Sequence, residues 1–125
     1  MQPHGDYKVE LINDVVHVFP LGGFNEEGIL KVREQILLVI PTKRPWALFE
    51  HPRELAGLTP EAADELLKTY LHISKLNCKV VAVEACSTWQ GVIEKTLHGN
   101  LDIPYYLSDD LEQLEKLVKK HLSCD

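Results

Sequence analysis

The apolar positions of this chain change period along its length. Residues 7–12 and 15–19 are short runs rich in β-formers, and Asn13-Asp14 between them is a two-residue hairpin signal. Leu21-Gly22-Gly23 reads as the end of the second run. From Asn25 the period becomes helical, with Ile29, Val32, Ile36, Leu37 and Ile40 on one face. Asn25 is a good N-cap, Glu26 and Glu27 lie at the positive end of the helix dipole, and Phe24 can pack on Ile29 across the cap. Pro41 stops this helix.

Residues 46–49 are nearly all apolar, as expected of a strand covered on both faces. A short polar loop is expected next. The following helix has Thr59 as N-cap and Pro60 at its first position, then Ala63, Leu66, Leu67, Tyr70 and Leu71 at helical spacing. Residues 79–83 form a second buried strand. Ser87 or Thr88 can cap a short helix through Leu97, which Gly99 or Asn100 ends. Residues 103–107 make a short last strand, and Pro104 places it at a sheet edge. Ser108 is expected to cap a final helix with Leu111, Leu114, Leu117, Val118 and Leu122 on its apolar face.

The order is therefore β-β-α-β-α-β-α-β-α. A hairpin followed by alternating helices and strands predicts an α/β fold: a mixed, mostly parallel sheet of about five strands flanked by about four helices. At 125 residues the chain makes one domain, residues 1–125 with a core of about 7–122.

Charge narrows the function. A formal charge of -6 and a pI near 5.5 argue against a nucleic-acid partner, because phosphate neutralisation needs a basic face. No apolar run reaches the ~20 residues that span a bilayer, and the first residues lack the pattern of a signal peptide. A cytoplasmic protein with no membrane partner is expected. Cys78, Cys86 and Cys124 form no Cys-x-x-Cys pair and read as free thiols.

Taken in order, several segments resemble the STAS domain, the SpoIIAA-like superfamily of sulfate transporters and anti-sigma factor antagonists. Leu21-Gly22-Gly23-Phe24-Asn25 is similar to that family's Leu-x-Gly-x-Leu-Asp turn into its first helix. The strand ending at Glu50, the strand at Val80-Val81-Ala82-Val83, and Ile103 to Leu111 resemble its central and closing segments. The resemblance covers roughly Tyr7 to Leu122. It implies a SpoIIAA-like fold, a non-catalytic regulatory role in protein-protein interaction, and a protein partner such as a kinase-like anti-sigma factor, with a homodimer also allowed. Archetypal members carry Asp-Ser-Ser-Gly at the start of the second helix and are phosphorylated on the second serine. Counted without gaps from Glu50, that motif falls on Leu58, Thr59 and Pro60, so the phosphoserine motif is not retained. A one-residue gap would bring Thr59 onto the phosphoacceptor.

Thr59 thus has two readings, a phosphoacceptor at a helix N-terminus and a helix cap. The expected interaction surface comprises Glu50, His51, Arg53, Glu54, Leu58 and Glu61, with Trp89 as a candidate contact residue. Two alternatives stand beside it. One is a small apolar, lipid-like ligand held between sheet and helices. The other is a thiol enzyme in which His51 activates Cys86, although no third residue that would orient such a pair is visible. Cys at a strand end is more often a small buried hydrophobe. The six histidines show no metal-ligand spacing, so neither a metal nor another cofactor is expected.

Overall fold

The computed structural model describes residues 5–41, 43–84 and 87–123; at 53–57 and 87–90 only the backbone is described. The chain runs β1 (Val9–Ile12), β2 (Val15–Val18), β3 (Leu21–Phe24), α1 (Glu26–Val39), β4 (Trp46–Glu50), β5 (Arg53–Leu58), α2 (Pro60–Ser74), β6 (Cys78–Glu84), α3 (Ser87–Leu97), β7 (Tyr105–Ser108) and α4 (Leu111–Leu122). The central sheet has the order β1-β2-β4-β6-β7. The β1–β2 pair is antiparallel and every other pair is parallel.

Local sequence explains most of this. Asn13 and Asp14 take φ of 52° and 48°, the left-handed conformation of a tight hairpin turn that these residue types tolerate well. Asn25 caps α1 by accepting from the Gly28 amide, and α1 ends before Ile40 and Pro41. The last strand lies at the sheet edge, as expected, but it runs Tyr105–Ser108, so Pro104 precedes it rather than lying within it.

Strand order also sets the layers. From β2 through β4 and β6 to β7 the chain always steps the same way across the sheet. Right-handed crossovers then carry α1, α2 and α3 to one face. There Val16, Val18, Leu48, Val81 and Val83 pack against Ile29, Ile36, Leu66, Tyr70 and Ile93. Helix α4 follows the last strand, so no crossover constrains it. It packs on the opposite face, with Leu114 and Val118 on Ala47, Phe49, Val80 and Ala82.

Three expectations are corrected. The loop expected after Glu50 contains strand β5, and Leu21-Gly22-Gly23 does not end β2 but begins β3. The two pair in parallel as a separate two-stranded sheet, Phe24 opposite Leu58. Both strands are short and contain glycine, so they carry little periodicity. The cap of α4 is Asp110, whose carboxylate accepts from the Gln113 amide at 3.1 Å. Ser108 still belongs to β7, and its hydroxyl accepts from the Asp110 amide instead. No helix among the described residues is long and apolar enough to cross a membrane.

Candidate functional site

Two neighbouring constellations lie at the carboxyl ends of the parallel strands, where open α/β sheets place their sites. The first is the β5–α2 junction. The Thr59 amide donates to the Phe24 carbonyl, and its hydroxyl accepts from the Ala62 amide at 3.1 Å. Thr59 is therefore the N-cap that its sequence position predicts, with Pro60 opening the helix. Thr59, Pro60 and Glu61 are exposed and Leu58 is half-buried. Beside them a groove of about 450 Å³ runs between α2 and α3, lined among others by Leu58, Pro60, Ala63, Leu67, Val92 and Lys95. The side chains of Arg53, Glu54 and Trp89 lie outside the described residues.

The second constellation is at the ends of β4 and β6. Glu50 and His51, expected on the surface, are both buried, at 3% and 6% exposure. Strand alternation sends them to opposite faces. Glu50 points to the three-helix side, where the Tyr70 hydroxyl of α2 donates to its carboxylate. Loss of water pushes the Glu50 carboxyl up to about 7, although the Tyr70 bond pulls the other way. The same burial and the neighbouring Glu50 raise Tyr70 well above its ordinary value.

His51 points to the α4 side. Its Nδ1 lies 3.4 Å from Glu84 Oε1, and its Nε2 lies 2.9 Å from Nδ1 of His17 on β2. Phe49 and Phe19 stack on the His51 ring, with centroids 4.3 and 4.7 Å away. His51 thus has the orienting carboxylate that was not visible in sequence. Register explains the oversight: β2 sets His17 opposite Phe49, and β4 sets Glu50 opposite Val83, so the three residues meet only when three strands are aligned. His17 was one of six scattered histidines. Its place between Val16 and Val18 on an alternating strand is the signal that could have found it. Cys86 and Cys124 fall outside the described residues. Cys78 is free and buried, its thiol pushed up to about 12 by loss of water, which suits a packing role. Among the described residues no group of three metal-ligating side chains is arranged to hold an ion.

This architecture has known counterparts. No family model matches the sequence, and no curated protein matches it. In three dimensions it is similar to an uncharacterised DUF3478-family protein with a SpoIIAA-like fold from Shewanella loihica PV-4. The TM-score is 0.66 at 16% identity, over 94% of this chain and 96% of that one. It is equally similar to an anti-sigma factor antagonist from Mycobacterium paratuberculosis, with a TM-score of 0.65 at 18% identity over 93% and 95% of the two chains. The chain has the SpoIIAA-like, STAS-type α/β fold.

Proposed function

We propose that this chain is a non-catalytic regulatory module that docks a protein partner at the β5–α2 junction. The observation that carries this is the exposed Leu58-Thr59-Pro60-Glu61 segment at a strand's carboxyl end, beside the α2–α3 groove. The likeness to a protein described as an anti-sigma factor antagonist supports the same direction. Glu61 and Asp64, together with the net charge of -6, favour a partner with a basic contact face, such as a kinase-like anti-sigma factor in the cytoplasm. The non-catalytic reading is supported by how the buried His51 and the half-buried His17 are used: they bind each other and stack on Phe19 and Phe49. In the unmodified chain Thr59 serves as a cap. A phosphate there would meet the same helix amides and change the charge of the docking surface.

The test is affinity capture from the native host, followed by binding of the captured protein to purified variants. Glu61→Lys and Asp64→Lys, both at exposed positions, should each weaken binding by roughly tenfold or more, a loss of about 1.4 kcal/mol, with unfolding transitions close to the wild type. Binding of both variants at wild-type strength would contradict the assignment.

A further inference from the structure

We propose that the groove beneath α4 is a second site, which binds a small, uncharged, planar aromatic molecule carrying one O–H or N–H donor. The groove has a volume of about 580 Å³, within the range of small-molecule pockets. It opens between the β1–β2 turn and the last turns of α4. Its floor is the half-buried His17 ring, with Phe49, only 1% exposed, packed against it, and its walls are Ile12, Val15, Val118 and Leu122. The His17 ring is held in place because it stacks on Phe49. His17 and Phe49 are inclined by 22° with centroids 5.6 Å apart, and His51 continues the array behind them. A flat aromatic floor between aliphatic walls favours a planar apolar guest. A charged guest would lose its water there without a buried counter-ion, since Glu115 and Lys119 lie exposed and Asp14 is paired with Arg44.

Asn13, Asp14, Glu115, Lys119 and Ser123 also line the groove, but on its floor the polar group is His17, and the hydrogen-bond chain behind it fixes its role. A carboxylate only accepts, so Glu84 favours the proton on Nδ1 of His51. His51 Nε2 then accepts from the Nδ1–H of His17, at 2.9 Å. That leaves Nε2 of His17 with a bare lone pair, and this atom has no hydrogen bond to any described residue. Loss of water lowers the His17 pKa, which keeps the ring neutral and the lone pair available. The site therefore presents one acceptor on an aromatic floor, and the complementary guest brings one donor. This site lies on the opposite face of the sheet from the docking surface proposed above.

Indole and benzothiophene are near-isosteres that differ in the N–H donor. In amide NMR titrations at millimolar ligand, indole should shift resonances of the β1–β2 turn and the end of α4, and should bind roughly fivefold to tenfold more tightly than benzothiophene. His17→Phe keeps the aromatic floor and removes the acceptor, so it should erase that preference by weakening indole. Glu115→Trp, at the exposed rim, should weaken both. Equal binding of the two ligands by the wild type would overturn the proposal, as would no shift by either or shifts centred on the α2–α3 groove. Should His17→Phe fail to fold, the wild-type preference decides the matter.

Discussion

The two faces of the central sheet are built differently. On one face α1, α2 and α3 cover a continuous apolar layer, and an ionisable strand residue buried there, Glu50, is paired with Tyr70. On the other, α4 covers β4 and β6 through Leu114 and Val118. Towards β1 and β2 that cover gives way to a groove, and there the strand residue is His17, with Phe19 and the buried His51 stacked behind it. Alternate residues of the same strands thus serve different purposes. Val16, Val18 and Leu48 are sealed in the interior, while Val15 and His17 are half-buried along an open groove. Where the helical cover is complete, a polar strand residue such as Glu50 must be hydrogen-bonded from within; where it stops, a polar residue such as His17 can keep contact with water.

That contrast predicts an order of sensitivities. Trp46 is fully buried on the three-helix side and its indole N–H donates to the Leu76 carbonyl. Trp46→Ala should cost about 3–5 kcal/mol in urea titration, through a cavity and an orphaned carbonyl. Leu114→Ala beneath α4 should cost about 2–4 kcal/mol. A larger loss at Leu114 than at Trp46 would break the comparison.

Glu50 sharpens it through pH. Its folded pKa of about 7 lies above the ordinary 4.5, so the folded state holds the proton longer than the unfolded chain. The stability this group contributes is full below 4.5, falls as pH rises through the window, and is gone above about 7. Glu50→Gln keeps an acceptor for the Tyr70 hydroxyl without the charge. It should be more stable than wild type at about pH 8, by at most ~3 kcal/mol, and the advantage should vanish below about pH 4.5. A constant difference across that range would place the carboxyl in water.

Much of the fold was legible because its signals are local. The hairpin at Asn13-Asp14, the caps at Asn25 and Thr59, and the apolar runs of β4 and β6 all depend on residues close in sequence. Strands β3 and β5 were not legible, because two short glycine-containing segments acquire strand character only by pairing with each other. The candidate site divides the same way. Thr59 could be read from its neighbours. The contacts among His17, His51 and Glu84 span sequence separations of 34 and 33 residues and depend on the register of three strands.

Smaller effects should follow at the surface. Thr59→Ala should cost about 1 kcal/mol in the same titration, whereas Thr59→Asp should stay near wild type because an aspartate also caps. Leu38 is 76% exposed, and Leu38→Lys should change stability by no more than about 0.5 kcal/mol. A large loss there would show that the outer side of α1 is covered in solution.

The most direct measurement of the docking assignment is amide hydrogen exchange on the chain, free and saturated with its captured protein partner. Protection is expected at the end of β5, the first turns of α2 and the facing side of α3, with exchange in α4 and the β1–β2 turn unchanged. Protection confined to α4 and the hairpin, with none at the start of α2, would contradict the claim that this fold meets its partner at Leu58 to Glu61.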